Sequence, residues 1–519
     1  MSSKKLRRAV DYLEKGAVDP ARHVLESVIQ QEPDNAQAHY LLCGVALAKQ
    51  DLRSACRHAL DAAVTQRGLD ELGLDIVHVL IRLGECQAAR SLLGQNDTDH
   101  FNSALPIARL ASAYQLLHMH HDALKVITQA QAFIQLTPDQ LYYSAIQMNF
   151  CGQIDESVKV LVSLAETGYG VGRAYLMLAR SYNPDDYPNY LQLLGKRLIA
   201  MPPTSEHAAA ILFAQFHELH RLCRHQDAWR ALRAANAIMH RLLGYDAARE
   251  QRIVAGLKAS FAELARMHRP APVKASPVPI FIVGLPRSGT TLLERLLTNH
   301  SDVASAGELT DFGKQLRWAA NRLGASLLDE PLIEAIAQID CAALGQRYMH
   351  QATWHARNKG YFVDKQPANF WLTGLIHLAL PQAKIIHLRR APLDVCFSNY
   401  KAMFGDSYEY SYDLASLAAH YAHYRDLMNY WRQALPSAFL DVDYEDLVRD
   451  TAGSMRRILD YCQLPLEPAC LDATRNAAPV ATLSSSQVRK PIHTQSIEEW
   501  QPYASELSGL RLAIGQARH

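Results

Sequence analysis

The sequence lacks several features that would place it in a specialised class of protein. No stretch of its 519 residues approaches the roughly 18 consecutive apolar residues that a membrane-spanning helix needs, and its charged N-terminus has no apolar leader segment. Its nine cysteines are scattered without a CxxC pair, which fits neither a disulfide framework nor a zinc-binding pattern. We therefore expect free thiols, a cytoplasmic location and no membrane span.

An excess of charge of either sign is also missing, because 53 lysines and arginines face 52 aspartates and glutamates. Without a basic field over the whole molecule, nucleic acid is not an expected partner. Hydrophobic residues make up 49% of the chain and charged residues 20%, which is typical of a folded protein. The chain is too long for a single hydrophobic core, so more than one domain is expected.

A period of 34 residues runs through the first third of the chain. Small residues recur at this interval, at Ala21, Ala55, Ala89, Ala123 and Ser157. Five residues before each of them stand Gly16, Gln50, Gly84, His118 and Gly152. The pattern predicts pairs of antiparallel helices, with a turn at the second set of positions and a close helix crossing at the first.

This period resembles the tetratricopeptide repeat, although the tryptophan expected in that repeat is absent. The resemblance covers residues 1–170 and implies an all-α solenoid with a concave groove. Over 171–266 the phase is lost and a degenerate helical stretch is expected, so the repeat domain is predicted to span 1–266. The array could hold a peptide or a protein partner, or act as a spacer or dimerisation arm.

A proline-rich linker is expected over 267–278, and a second domain over 279–519. This domain opens with a short apolar strand, the loop GLPRSGTT (284–291) and an amphipathic helix. Such a strand–loop–helix unit directs backbone N–H groups at an anion. The spacing is that of the phosphate loop GxxxxGK[ST], with Thr290 in place of the lysine, which makes an ordinary ATPase or kinase a less favoured alternative.

The segment PRSGTT resembles the 5′-phosphosulfate loop of sulfotransferases, most closely that of the tyrosylprotein branch. The resemblance implies an α/β phosphate-loop domain with a parallel sheet, the sulfotransferase fold. It also implies 3′-phosphoadenosine 5′-phosphosulfate (PAPS) as the co-substrate, without a metal. The residues that it assigns to the 5′-phosphosulfate are Arg287, Ser288, Gly289, Thr290 and Thr291.

A second segment, AKIIHLRRAPLDVCFSNYK (383–401), resembles the family's site for the 3′-phosphate. Arg390 and Ser398 have the eight-residue spacing of the family's arginine–serine pair, although Arg389 could also face the pocket. An arginine suits a phosphate because its planar fork donates parallel charge-assisted hydrogen bonds. The resemblance also places Tyr444 against the adenine, while a buried structural role for this tyrosine stays open.

The C-terminal run 483–500 resembles the serine-rich loop of the tyrosylprotein branch. It implies a role for Ser484 in sulfuryl transfer, and it places Arg489 and Lys490 near the 3′-phosphate. Glu499 departs from the pattern, because relatives carry a basic group at this position.

Sulfuryl transfer requires cations that balance the charge building on oxygen and a base that removes the acceptor's proton. By resemblance, Lys365 in the segment DKQP is the catalytic lysine, and Arg287 assists it. Glu308 stands 21 residues after Arg287, as the base of the tyrosylprotein branch does. His300 is the rival, because histidine is the commoner base among cytosolic sulfotransferases.

The sequence thus predicts a PAPS-dependent sulfotransferase with a hydroxyl acceptor. A protein tyrosine or peptide presented by the repeats is favoured, while a sugar or a small metabolite stays open. Two alternatives remain, a kinase-like phosphate-loop transferase and a non-catalytic repeat scaffold with a degenerate sulfotransferase domain. The retention of the motif residues argues against the scaffold.

Overall fold

The computed structural model describes residues 2–95, 106–268, 276–483, 485 and 487–515. The N-terminal half of this described chain is entirely helical, as predicted. Its helices are α1 (Ser2–Glu14), α2 (Val18–Gln31), α3 (Ala36–Ala48), α4 (Leu52–Thr65), α5 (Glu71–Leu83), α6 (Cys86–Leu93), α7 (Ile107–Leu116), α8 (His120–Gln131), α9 (Pro138–Phe150), α10 (Ile154–Glu166), α11 (Gly172–Ser181), α12 (Tyr190–Ala200), α13 (Glu206–Arg221), α14 (His225–Leu243) and α15 (Ala247–Met267).

The 34-residue period corresponds to successive helix pairs, from α1–α2 to α9–α10. All five predicted turn residues lie between the two helices of a pair and adopt left-handed backbone conformations with φ between 58° and 85°. All five small residues are fully buried, at 0% exposure, because the helices cross closely there. Where Ser157 replaces alanine, its hydroxyl donates to the Ala145 carbonyl oxygen at 2.8 Å, so the buried polar group is satisfied.

Polar residues before several helices explain where those helices begin. Asn35 accepts a hydrogen bond from the backbone N–H of Ala38 at 2.9 Å, and Asp70 accepts one from Gly73 at 2.8 Å. Thr137 forms a reciprocal capping box with Gln140 ahead of α9. None of the helices within the described ranges combines the length and the apolar composition needed to cross a bilayer.

The C-terminal half is an α/β domain. Its elements are β1 (Val278–Val283), α16 (Thr290–Leu297), β2 (Val303–Gly307), α17 (Asp311–Ala320), α18 (Glu330–Ile336), α19 (Cys341–Ala352), β3 (Tyr361–Asp364), α20 (Thr373–Ala379), β4 (Lys384–Arg389), α21 (Pro392–Tyr400), α22 (Leu414–Ala434), β5 (Leu440–Asp443), α23 (Tyr444–Arg449), α24 (Thr451–Cys462) and α25 (Ser508–Gly515).

The strands form a five-stranded sheet in the order β2-β3-β1-β4-β5, and every neighbouring pair is parallel. The central strand β1 is buried from Pro279 to Val283, as expected for a strand covered on both faces. Helices follow the strands, so their loops collect at the carboxyl edge of the sheet, where ligands bind in such folds. The predicted fold class is confirmed.

The two halves share a hydrophobic core. One continuous cluster of buried side chains runs from Ala145 in α9 to Ile514 in α25. Within it, the ring of Phe261 in α15 packs edge-on against Trp431 in α22, with their centroids 4.9 Å apart. The last helix of the array, α15, ends at Met267 and the first strand of the sheet begins at Val278. The last helices of the array are nevertheless packed into the α/β domain.

Candidate active site

The loop between β1 and α16 has the conformation of an anion-binding turn. Gly289 precedes the helix at φ +100°, and a Cβ atom there would lie 2.3 Å from Cδ2 of Tyr444. Both its backbone conformation and its neighbour therefore require glycine. Ser288 is only 1% exposed, yet its Oγ has no hydrogen-bond partner, and no side chain caps α16. A bound phosphate or sulfate oxygen would satisfy both sets of donors.

The carboxyl ends of β2 and β3 bring Lys365 and Glu308 together. The backbone N–H of Lys365 donates to the Gly307 carbonyl oxygen at 2.9 Å, which extends the pairing of the two strands. Beyond that bond, Nζ of Lys365 lies 2.5 Å from Oε1 of Glu308. The lysine side chain is 1% exposed and the glutamate side chain 35%, so the carboxylate stands at the mouth of the site.

A second carboxylate, Glu294 of α16, lies behind the lysine. Its Oε2 is 3.8 Å from Nζ of Lys365, and its Oε1 accepts a hydrogen bond from Ser305 at 2.7 Å. Burial lowers the pKa of Lys365, but the charges of Glu308 and Glu294 outweigh burial and raise it above its usual value. Lys365 is therefore an ammonium at neutral pH. Burial raises the pKa of Glu294, partly offset by Lys365.

Arg390 belongs to the same site, whereas Arg389 does not. Nη1 of Arg390 donates to the Arg287 carbonyl oxygen at 3.0 Å, and its guanidinium lies 4.8 Å from the centre of the Tyr444 ring. Nε of Arg390 is buried without a hydrogen-bond partner. Arg389 instead donates to Asp443 at 2.6 Å, beside the sheet. Ser398 faces the cluster and accepts a hydrogen bond from Nε of Arg287 at 3.4 Å.

Several cations are concentrated here. Burial and the charge of Arg390 lower the pKa of Arg287 to about 10. Lys401, which the sequence analysis did not identify, is buried and forms an ion pair with Glu499. Burial would raise the pKa of Glu499, but the charge of Lys401 prevails and holds it below its usual range. Glu499 thus places a negative charge among these cations.

Three other predicted site residues either lie away from the phosphate loop or are outside the residues that the structure describes. Arg489 donates to the Phe150 carbonyl oxygen at 2.9 Å and packs against Gly152, so it faces the helical array. Lys490 is exposed. Ser484 lies outside the described residues.

His300 is engaged elsewhere by both ring nitrogens. Its Nδ1 accepts the backbone N–H of Asp302 at 3.0 Å. Its Nε2 lies 3.1 Å from the Pro465 carbonyl oxygen, a pure acceptor, so this nitrogen carries the proton. Of the two candidate bases, Glu308 is the one that lies at the phosphate loop.

The helical array supplies part of the site. His118, the turn residue of the α7–α8 pair, reaches the end of β2: its Nδ1 would lie 3.0 Å from a Cβ on Gly307. Burial, with smaller effects from His120 and Lys365, lowers the pKa of His118 to about 3. Arg180 of α11 is close enough to Arg287 for the two charges to interact, and burial lowers its pKa to about 9. Neither residue carries a motif, although the 34-residue period marks His118 as a turn residue.

A cleft of about 1480 Å³ separates the array from the carboxyl edge of the sheet. Arg287, Thr291 and Glu308 line one side, while Arg82 and Arg109 line the other. A group bound at the phosphate loop would therefore face helices of the array across the cleft.

The fold and the site define an α/β phosphate-loop domain with a lysine–carboxylate pair beside the loop. Residues 279–468 match the model of a family described as "Sulfotransferase family". The C-terminal region therefore carries a sulfotransferase-family domain, and the predicted resemblance is confirmed.

Among curated proteins, an uncharacterized protein of Aquifex aeolicus (strain VF5) is 36% identical over 239 residues, which cover 44% of this chain and 31% of that protein. Protein-tyrosine sulfotransferase 1 of Danio rerio is 27% identical over 247 residues, which cover 43% of this chain and 65% of that protein. The chain thus spans about one third to two thirds of the length of these relatives. The sulfotransferase domain of the Synechococcus PCC 7002 olefin synthase is 22% identical, covers 48% of this chain and 99% of its own length, and superposes with a TM-score of 0.33.

Proposed function

We propose that the protein is a PAPS-dependent sulfotransferase that transfers a sulfuryl group to a hydroxyl of a peptide or protein, such as a tyrosine. The observation that carries this proposal is the pair Lys365–Glu308, with Nζ and Oε1 2.5 Å apart, beside a phosphate loop. A buried cation and a half-exposed carboxylate at one point are the two groups that in-line transfer to a hydroxyl requires.

The residues around the loop fit such a donor. Ser288 and Arg390 each present a buried polar atom without a partner, which a bound oxyanion would satisfy. Residues 287–291 would hold the 5′-phosphosulfate, Arg390 and Ser398 the 3′-phosphate, and Tyr444 the adenine. The donor supplies the sulfuryl group and leaves as a bisphosphate.

The chain's own residues divide the remaining tasks. Glu308 would accept the acceptor's hydroxyl proton at its carboxylate, which the cleft exposes. Lys365 would place its ammonium on the oxygen that gains negative charge as the sulfuryl group departs, with Arg287 beside it. Because fixed cations perform this role, the proposal requires no metal.

The position of the cleft favours a peptide or protein acceptor. Its volume of about 1480 Å³ includes the space at the phosphate loop that the donor would fill, and the remainder lies against the helical array. One wall consists of helices of the array, so a segment of peptide would contact both halves of the chain. The acceptor proposal rests on this geometry, whereas the donor proposal rests on the loop.

Ligand-dependent melting tests the donor. Adenosine 3′,5′-bisphosphate should raise the melting temperature of the full chain by mass action, and ATP with magnesium should raise it far less. Equal shifts would favour the kinase-like alternative. A bisphosphate shift without any sulfuryl transfer would favour the scaffold alternative.

Transfer from a radiolabelled donor into a cell lysate tests the acceptor. We expect the label in the protein or peptide fraction, at an acid-labile tyrosine ester. Label in the small-molecule fraction alone would overturn the acceptor assignment and leave the sulfotransferase assignment intact.

A further inference from the structure

Three side chains in the second helix pair converge far along the chain from the phosphate loop. They are His39 on α3, and His58 and Asp61 on α4. One possible ligand atom from each lies within 4.8 Å of the other two, and Nδ1 of His39 is 3.8 Å from Oδ2 of Asp61. Because His58 and Asp61 are three residues apart on one helix, they share a face that is turned to α3.

The orientation of His39 is fixed by its outer nitrogen. Nε2 lies 2.8 Å from the Pro33 carbonyl oxygen. Since a carbonyl oxygen only accepts, Nε2 carries the hydrogen, and in the neutral ring Nδ1 presents a lone pair. His39 is 8% exposed, and this Nδ1 is buried without a hydrogen-bond partner. A carbonyl on the far nitrogen is the usual outer partner of a metal-bound imidazole.

His58 also has a buried ring nitrogen that lacks a hydrogen-bond partner. This nitrogen is Nδ1, and the ring centre of His58 is 5.9 Å from that of His39. Two imidazole nitrogens and a carboxylate oxygen therefore face one another, and all three can donate electron pairs. Buried polar atoms rarely stay unsatisfied, and a cation held beside the Asp61 carboxylate would satisfy both buried imidazole nitrogens.

We propose that His39, His58 and Asp61 form a binding site for a divalent transition metal of the zinc type. Two nitrogen ligands and one oxygen ligand select this class over Mg²⁺ or Ca²⁺, which prefer oxygen alone. With zinc–ligand bonds of about 2.0–2.1 Å, neighbouring tetrahedral ligands lie about 3.4 Å apart. The existing separations, which are 3.8 Å for His39 and Asp61 and at most 4.8 Å for the other pairs, therefore need to close by between about 0.4 and about 1.4 Å. A water molecule would complete the coordination.

The metal site would stabilise the helical array and would take no part in sulfuryl transfer. It would join α3 to α4 and, through Pro33, fix the connection that leads into α3. Metal bound only by the folded chain stabilises it by mass action. The proposal is independent of the sulfotransferase assignment.

Metal titration of the full chain tests the site. After chelator treatment and dialysis, Zn²⁺ should raise the melting temperature of the wild type, and Co²⁺ should give the visible absorption of a tetrahedral complex. His39→Gln and Asp61→Asn should each weaken Co²⁺ binding at least about tenfold, since each removes a ligand. His23→Gln, which changes an exposed histidine of α2, is the matched control and should bind as the wild type does.

The half-exposed Asp61 also provides a check on folding. In chelator, Asp61→Asn should melt close to the wild type, and the two proteins should separate only when metal is added. If this variant is already destabilised in chelator and Zn²⁺ shifts neither protein, then the cluster is an ion pair with a protonated His39, and the proposal is wrong. If Zn²⁺ still raises the melting temperature of both His39→Gln and Asp61→Asn, the proposal is also wrong, because the ion would then bind elsewhere.

Discussion

Nζ of Lys365 donates a hydrogen bond to Oε1 of Glu308 at 2.5 Å. In the proposed reaction Lys365 balances charge on the donor and Glu308 takes the acceptor's proton, so the two catalytic groups are hydrogen-bonded to each other. The bond connects the ends of two adjacent strands, and the Lys365 N–H bond to Gly307 holds the two backbones in register. Glu294 provides a second negative neighbour for the ammonium. Lys365 can therefore move towards a donor without losing all of its anionic partners.

Replacing Glu308 separates chemistry from binding. Glu308→Gln keeps the shape of the side chain but cannot accept a proton. We expect kcat to fall by about 10²–10⁴, the usual contribution of a general base, while affinity for adenosine 3′,5′-bisphosphate changes little. Calorimetry and a turnover assay on the same variant check both. Turnover within a few-fold of the wild type would mean that another group is the base, and His300 would be tested next.

The neighbouring arginines form a matched pair of variants. Arg390→Ala should weaken bisphosphate binding by about 2–4 kcal/mol, because it removes one partner of a charge-assisted contact that is present throughout the reaction. Arg389→Ala removes the same charge one residue away, where the side chain is bonded to Asp443, and should leave affinity nearly unchanged. Calorimetry decides the assignment, and the opposite ranking would move the 3′-phosphate to Arg389.

Gly289 is a sensitive position in the phosphate loop. Gly289→Ala would place a methyl group 2.3 Å from Cδ2 of Tyr444 at φ +100°, so the loop or the ring must move. We expect at least a tenfold loss of bisphosphate affinity and a lower melting temperature. Gly195→Ala in α12 is the control, since no atom lies within 4 Å of its added methyl group. It should be neutral or stabilising by up to about 1 kcal/mol.

His118 should make the protein sensitive to acid. Burial lowers its pKa to about 3 in the folded chain, against the ordinary histidine pKa of about 6.5, so the unfolded chain binds more protons between these two values. Stability is therefore lost as pH falls below about 6.5, by at most about 1.4 kcal/mol per pH unit from this group. His118→Asn, which tolerates the left-handed backbone, should flatten the stability–pH curve over pH 6–4. Denaturant unfolding at several pH values measures the slope, and an unchanged slope would contradict the assignment.

The sequence was informative wherever local pattern determines structure. The 34-residue period located all five turns between paired helices, because close helix crossings admit only small side chains. The short apolar strand predicted before the phosphate loop is present as β1. Arg390, Ser398, Lys365 and Glu308 were predicted from the resemblance to the sulfotransferase family, and they lie near the loop because the carboxyl ends of parallel strands meet at one edge.

What the sequence could not provide are contacts between distant segments. Arg180 of α11 carries no motif, and only the packing of the helical array against the α/β domain brings it close to Arg287. The bonds of His300 to Asp302 and Pro465 are equally invisible in sequence. The shared core was missed for the same reason, since Phe261 and Trp431 are 170 residues apart and neither segment indicates the other.

The turns of the array meet the α/β domain at three consecutive positions. The Gly84 carbonyl oxygen accepts from Gln315 at 2.7 Å, His118 adjoins Gly307, and Gly152 adjoins Arg489. In an open solenoid, whole units can be gained or lost without penalty to the others. Here each of the three turns contacts a different residue of the α/β domain. Deleting or duplicating one 34-residue unit would therefore place a different turn at each contact and take His118 away from the end of β2. The contacts with the α/β domain thus fix the number of repeat units in this part of the chain.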